Sequence, residues 1–560
     1  MMKRFAGGTV VAAIVCLFGT QTVVAQTMEF GEDEAKDTMT FGEEEAKGEK
    51  GGKGKGKAAK NMKKAPKSGS PAAQFIKEGQ SLYKKKKYDE ASLIFYKVIN
   101  SEKISTEGAI PQARYELGKT LFRMNLYQGA LSQFGKIVEA GEAHPYFVPT
   151  LNGLLSLSEV IGADPTLRQY LAKYASRFPQ QVPEKYRDRY AYLVGRHFYS
   201  NLNVQKAVEM LNYVSRRSKF FAKSRYILGI THVANYAAKP AVQAFKDTLR
   251  FLTAKRESGE LSNEEQKIFE LTNMAMARVF YSTGDYGTSI KYYDKVDRGS
   301  ARWAQALFES SWAFFQLDRY NKALGNLHSL NSPFFADSYF PEGPILAAVI
   351  YYYNCKYDRV RNQLEEFDYT YAPLKKDMQT ILDKHQQPSQ MFEWYKKLKK
   401  GNTKFSDRVY RIIKAAVDDR QVESSFKLVK LIEEEVQKIE SMPGSWKGSA
   451  LGQALKQEAS LAQSFAVEDA GSLAQQRLKR RVRKLTDLVN QKKKILFEVS
   501  RGKISQTQQE IAAKQETKAN TIDPGKLDVG EAKMYWKFNG EYWRDEIGHY
   551  VFNIGSKCKR

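Results

Sequence analysis

The chain has 560 residues, 42% of them hydrophobic and 12% aromatic, enough apolar surface for a packed fold or a long solenoid. Its 89 Lys and Arg outnumber 63 Asp and Glu, a formal charge of +26 that demands anionic partners or an anionic surface. Three cysteines in so long a chain exclude a small disulfide-stapled scaffold, so an apolar core must carry the stability.

Residues 1–25, MMKRFAGGTVVAAIVCLFGTQTVVA, place Lys3 and Arg4 before an apolar run and Val23-Val24-Ala25 after it. That order predicts a signal peptide for Sec-type export, cleaved after Ala25, and a periplasmic or secreted protein. Cys16 follows Val15, where a lipid-attachment box would place a small residue. Cleavage removes two cations and no acid, leaving +24. An exported chain rarely meets nucleic acid, so the excess points to acidic protein partners, anionic envelope polymer or a membrane surface. Cys355 and Cys558 then remain, and whether they pair is open.

Residues 26–71 contain one eleven-residue phrase written twice, TMEFGEDEAKD and TMTFGEEEAKG, acidic around Phe30 and Phe41. A Lys/Gly-rich stretch follows, EKGGKGKGKAAKNMKKAPKSGSP, which has nothing to bury and predicts a flexible tether. GGKGKGK lacks the spacing and the Ser or Thr of a phosphate-binding loop.

From residue 72 to 370 the pattern is helical and repeats. Gly79, Leu82, Ala91, Phe95 and Val98 reappear at the same spacing as Gly118, Leu121, Ala130, Phe134, Ile137 and as Gly195, Phe198, Ala207, Leu211, Val214. Gly229 follows Gly195 by 34 residues, and weaker copies start at Ala277, at Ser311 a further 34 on, and at Ala348. Residues 144–183 have the length of a degenerate copy, and the charged AKRESGELSNEEQ, 254–266, predicts a prolonged helix or an exposed loop.

These residues resemble the tetratricopeptide repeat. The resemblance implies an all-α, right-handed solenoid of antiparallel helix pairs, with a small residue where the two helices approach. It also implies a concave surface lined from the first helix of each pair. Carried onto this sequence, the inward positions are Ile76, Tyr83, Tyr115, Lys119, Phe122, Arg189, Tyr192, Arg196, Tyr199, Lys223, Tyr226, Arg278, Tyr281, Phe308, Trp312 and Phe315. Such a trough of rings and cations suits an extended peptide with an aromatic anchor and several carboxylates, which describes the doublet around Phe30 and Phe41.

Residues 371–520 predict further helices. One stops at Pro443-Gly444, and another carries a heptad-like seam of Leu478, Val482, Leu485, Val489, Leu496 and Val499, which Lys492 interrupts. Between Gln475 and Lys503 that helix holds eleven basic and two acidic residues. Arg477, Arg480, Arg481, Arg483, Lys484, Lys492, Lys493 and Lys494 form a candidate basic surface for anionic polymer or membrane. Residues 521–560 close on MYWKFNGEYWRDEIGHYVFNI, where Asn539-Gly540 between aromatic arms predicts a small β-hairpin, either a cap over the last helices or a docking feature. Trp536, Phe538, Gly540–Asp545, Gly548, Tyr550 and Cys558 are similar to the close of periplasmic tetratricopeptide proteins of the adventurous gliding machinery of myxobacteria and related predators. That resemblance implies a non-catalytic component of an envelope complex.

No catalytic chemistry is legible. His144, His197, His232, His328, His385 and His549 show no metal-ligand spacing, there is no Gly-x-Ser-x-Gly elbow, and no carboxylate pair marks a glycan hydrolase. The expected function is a non-enzymatic scaffold for protein partners without cofactor, metal or small-molecule substrate. The alternative is a binder of anionic polymer or membrane through the basic helix and the tether.

Overall fold

The repeating motif of small residue and ring is the contact on which each helix pair is built. In the computed structural model a Cβ added at Gly79 would lie 2.7 Å from the Phe95 ring, at Gly118 2.6 Å from Phe134, and at Gly195 2.7 Å from Leu211. Phe95, Phe134, Leu211 and Phe245 are all fully buried. The glycine removes the one side chain that would hold the two backbones apart.

The structure describes residues 70–104, 108–162, 164–335, 338–401, 405–417, 420–513 and 539–558. The expected signal peptide, the acidic doublet with Phe30 and Phe41, nearly all of the expected tether, and Trp536 and Phe538 lie outside them. Described residues form the helix pairs α1 (Pro71–Lys84) and α2 (Tyr88–Asn100), α3 (Ile110–Arg123) and α4 (Tyr127–Glu139), α5 (Phe147–Leu157) and α6 (Pro165–Ala172), and α7 (Glu184–Ser200) and α8 (Val204–Tyr213). They continue as α9 (Phe221–Ala234) and α10 (Ala238–Glu257), α11 (Asn263–Ser282) and α12 (Tyr286–Tyr293), α13 (Trp303–Gln316) and α14 (Tyr320–Leu330), and α15 (Glu342–Tyr353) and α16 (Tyr357–Lys384). After the pairs come α17 (Pro388–Lys399), α18 (Asp407–Val417), α19 (Arg420–Ser441), the single turn α20 (Gly444–Lys447) and the long α21 (Ala450–Ala513).

Local chemistry starts these helices where it should. Ser70 caps α1 ahead of Pro71, Asp164 caps α6 ahead of Pro165, and Asn203 and Asp285 cap α8 and α12. The insert at 254–266 prolongs both neighbouring helices: α10 runs to Glu257, and α11 opens on a capping box between Ser262 and Glu265. The degenerate copy forms the short pair α5 and α6, and Gly153 of α5 also meets the Phe134 ring.

One regularity passes unseen in the sequence. The residue seven after each small residue has positive φ: Lys86 (61°), Asn125 (57°), Leu202 (57°), Tyr236 (56°), Gly284 (82°), Asp318 (56°) and Cys355 (52°). Each sits in the tight connection between the two helices of a pair. The seven copies identified by spacing thus share one turn, although four of the seven residues, Lys86, Leu202, Tyr236 and Cys355, are of types that resist it.

Two compact units divide the described chain. The N-terminal unit holds residues 70–224 and 420–470, and the C-terminal unit holds residues 225–417, 471–513 and 539–558. Helix α16 runs through residue 370 without a break, so the last repeat and the region after it share one element.

In the N-terminal unit the late helices pack onto second helices. Trp446 of α20 is 1% exposed and donates its Nε1–H to Ser92 Oγ of α2 at 2.9 Å. Leu455 of α21 fills the space over Gly129 of α4, and Lys136 of α4 pairs with Glu458 at 3.3 Å.

In the C-terminal unit α21 runs antiparallel along α16. Gln475 donates to the carbonyls of His385 (2.8 Å) and Gln386 (2.7 Å), Lys492 pairs with Asp368, and Lys503 pairs with Asp358 at 2.6 Å. Paired numbers sum to nearly the same value along the helix, so the register is constant. The buried stripe is Leu478, Leu485, Leu488, Ile495 and Val499, with Val482 at its margin. This corrects the expected seam: Val489 and Leu496 are only half-buried, because the stripe passes through Lys492, whose charge is answered by Asp368.

The expected C-terminal hairpin is also corrected. Residues 539–558 contain no strand. Their backbone is satisfied by helices instead: Gly548 N–H donates to Ser329 Oγ at 2.9 Å, Phe552 N–H to Asn321 O at 3.1 Å, and Lys557 N–H to Asn354 O at 3.0 Å. This strap lies over α14, whose Gly325 lets the Tyr550 backbone approach, and ends in a Cys355–Cys558 disulfide with a Cα separation of 5.1 Å.

The shared turn makes a direct prediction. Tyr236 is 89% exposed, so its side chain offers little packing against the cost of its left-handed backbone. Tyr236→Gly is expected to stabilise the protein by about 0.5–1 kcal/mol, read as a higher urea midpoint with unchanged slope; a lower midpoint would show that the turn carries no such strain.

Candidate functional site

The sequence-derived trough divides into open and closed parts. In the N-terminal unit Tyr83 of α1 and Tyr115, Lys119 and Phe122 of α3 are half-buried and keep part of their surface open. The Lys119 ammonium lies 5.4 Å from the centre of the Tyr83 ring and 5.3 Å from that of Tyr115, so it bridges the first helices of two successive repeats. Glu116 holds the same ammonium at 2.9 Å and accepts from Gln80 Nε2 at 3.0 Å. Arg123 Nε donates to the Tyr83 hydroxyl at 3.3 Å, and Tyr146 stacks on Tyr115 at 5.1 Å. Burial pushes the Tyr146 hydroxyl up to about 12 and the Tyr115 hydroxyl well above its ordinary value, so both remain neutral donors across the physiological range.

Helices α7 and α9 behave differently. Arg189, Tyr192, Arg196, Lys223 and Tyr226 are all under 9% exposed, as is Ile76 at the start of the series. Arg189 donates to Ser158 at 2.9 Å and pairs with Glu159 at 3.1 Å, while Tyr192 stacks on Phe220 at 5.1 Å. Tyr226 packs beside Phe245 of α10. These side chains join neighbouring helices and present almost no surface to a ligand, because long side chains at those positions reach the adjacent helix before they reach solvent. Tyr199, also expected in the trough, is half-buried.

In the C-terminal unit Arg278, Tyr281, Phe308 and Trp312 are half-buried, whereas Phe315 is buried. Arg278 makes a two-pronged pair with Glu309 of the next first helix at 2.8 and 2.7 Å, and Tyr293 donates to the same carboxylate at 2.9 Å. Phe308 stacks on Phe340 at 5.2 Å. The ring-and-cation series is therefore a ladder that ties repeat to repeat, with part-open rungs in α1 and α3 and again in α11 and α13.

The basic surface divides in the same way. Arg481 donates to Ala416 O at 2.9 Å and lies over the Tyr339 ring, Lys484 pairs with Glu342, and Lys492 pairs with Asp368. Arg480, Arg483, Lys493 and Lys494 are exposed, and Arg477 is half-buried.

Among the described residues no three His, Cys, Asp or Glu side chains are grouped to hold a metal ion. His197 and His232 sit half-buried in first helices, where burial lowers the pKa of each below its ordinary value. His328 lies among the strap rings Tyr542, Tyr550 and Phe552.

Spacing gave no hint of Glu435. This α19 carboxylate is 4% exposed and accepts the N–H of Gln128 at 2.8 Å and of Gly129 at 3.1 Å, so it closes the N-terminus of α4 from a distant part of the chain. Within EEEV it reads as one more solvated acid, and only the packed helix reveals its role.

No protein-family model matches the chain, and neither does any curated protein. Among solved structures it is similar to the apo form of RapI, at 13% identity and a TM-score of 0.32 over 64% of this chain and 98% of that one. It is also similar to yeast Tom70, at 12% identity and a TM-score of 0.20 over 80% and 99% of the two chains. A third is a circular tandem repeat protein, at 10% identity and a TM-score of 0.13 over 77% and 99%. Likeness this low leaves the repeat fold resting on the helix pairs and their shared turn.

Burial holds the Glu435 carboxyl up at about 7 from an ordinary 4.5, against the pull of the N–H groups and Lys438. Because the folded value is the higher one, the stability it contributes is full below pH 4.5 and is lost as pH rises through 7. Glu435→Gln is expected to remove up to roughly 3 kcal/mol of that decline between pH 5 and 8; parallel wild-type and variant melting curves across pH would contradict it.

Proposed function

We propose that this protein is a non-enzymatic scaffold that holds segments of protein partners against the first-helix side of its repeats. The observation that carries the reading is the sidedness of the N-terminal unit. There the chain's own late elements rest on the second helices α2 and α4, while the part-open rings and cation belong to the first helices α1 and α3. A partner that fits offers one aromatic anchor for the Tyr83–Tyr115 surface and carboxylates for Lys119 and Arg123. The doublet around Phe30 and Phe41 has that chemistry.

Export to the periplasm or beyond is part of this proposal. It is supported by the leader-like residues 1–25 and by the Cys355–Cys558 pairing, since structural disulfides persist in oxidising compartments. The narrower assignment to an envelope-spanning gliding complex rests on the resemblance of the closing residues, from Trp536 to Cys558.

The test is a titration of protein lacking residues 26–48 with a labelled TMEFGEDEAKD peptide. Binding should weaken at least about tenfold in a Tyr83→Ala/Lys119→Ala variant, the loss of roughly 1.4 kcal/mol that one ring contact and one ion pair supply. Equal binding of a scrambled peptide of the same charge would defeat the proposal.

A further inference from the structure

Packing of α21 on α16 fixes which side of α21 meets water. With Leu478, Leu485, Leu488, Ile495 and Val499 buried, the opposite stripe is Arg480, Arg483, Asp487, Asn490, Lys494, Phe497, Arg501 and Ile504, every one of them exposed. These positions follow one another by three and four residues, so they form a single line along the helix. Lys479 and Lys493 flank it and are also exposed.

The line has two chemistries. Its first turns are cationic, with Asp487 the one acid among them. Its last turns carry Phe497, 63% exposed, and Ile504, 60% exposed, two turns apart on the same side. Arg501 lies beside the Phe497 ring at 5.9 Å and pairs loosely with Glu498 at 3.7 Å. Among the described residues no hydrogen bond or ion pair joins this line to the repeats or to the strap.

We infer that the outward face of α21 from Lys479 to Ile504 docks on an anionic lipid bilayer. Lysine and arginine meet the headgroups, and Phe497 and Ile504 enter the boundary between headgroup and acyl chain. Two large apolar side chains held in water gain nothing from a soluble polyanion but do gain from an apolar medium. A second copy of the helix fits poorly, because it would bring Arg480, Arg483, Lys494 and Arg501 against the same charges. The interaction is peripheral: among the described residues no helix is long and apolar enough to cross a membrane. It needs no protein partner, so it stands or falls apart from the scaffold reading.

The experiment is co-sedimentation of the full chain with vesicles of phosphatidylcholine alone and of phosphatidylcholine mixed with phosphatidylglycerol, beside binding to heparin. Wild type should prefer the anionic vesicles. Each cation near such a surface strengthens partitioning roughly fivefold, so Arg480→Ser/Arg483→Ser/Lys494→Ser should weaken it on the order of 100-fold. Phe497→Ser/Ile504→Ser should weaken vesicle binding at least about tenfold and leave heparin binding unchanged. All these side chains are exposed, and unchanged melting of the variants confirms the fold. Equal binding to both vesicle types, or vesicle binding indifferent to the Phe497/Ile504 change, would overturn the inference; the second result together with tight heparin binding would assign the face to a soluble polyanion.

Discussion

In four of the seven repeat copies, those of Gly79, Gly118, Gly195 and Gly229, the approach of the paired helices depends on a missing methyl group. Where the first helix of a pair carries Gly79, Gly118 or Gly229, a ring of the second helix occupies the vacated space, and the two axes come close enough to bury both apolar stripes. The tight turn seven residues later is the other half of the constraint, because the second helix must double back at once to bring its ring to the small residue. Phe134 extends the lock between repeats, since Gly118 and Gly153 both lie against its ring. Stacking then needs no charge or cofactor, and the polar side chains of the first helices are free to link repeat to repeat.

The C-terminal third braces what the repeats begin. Trp446 and Glu435 anchor late helices to α2 and α4 in one unit; the α16–α21 seam and the strap do so in the other. Charges inside these contacts are paired: Lys492 with Asp368, Lys484 with Glu342, and Glu435 with two backbone N–H groups. Pairing of that kind adds modest stability but fixes register, since a slip would leave a charge buried alone. In the N-terminal unit the bracing falls on the second helices α2 and α4, and in the C-terminal unit the fixed rotation of α21 leaves its cationic and apolar line facing out.

The repeats were legible because small residues and rings recur at fixed intervals, a pattern with a steric cause. The turn was not, because Lys86, Leu202, Tyr236, Asp318 and Cys355 share a conformation and no chemistry. Trough positions were legible as a list but not as a surface. Tyr115 and Tyr192 are both tyrosines at expected inward positions, yet Tyr115 keeps an open edge while Tyr192 is sealed against Phe220. Lys492 looked like a break in a heptad seam and is a member of it, since its partner Asp368 comes from another helix. Asn539-Gly540 signalled a hairpin, but the backbone beyond it hydrogen-bonds to α14 and the α15–α16 connection, a competition no local pattern records.

The most direct measurement of the central claim is a double-mutant cycle between Gly118→Ala and Phe134→Leu, followed by urea unfolding. The account predicts that the two changes couple by at least about 1 kcal/mol, because the smaller Leu vacates part of the space that the new methyl group needs. Additive effects would contradict it and would mean that the spacing of the helix pair is set by something other than this contact.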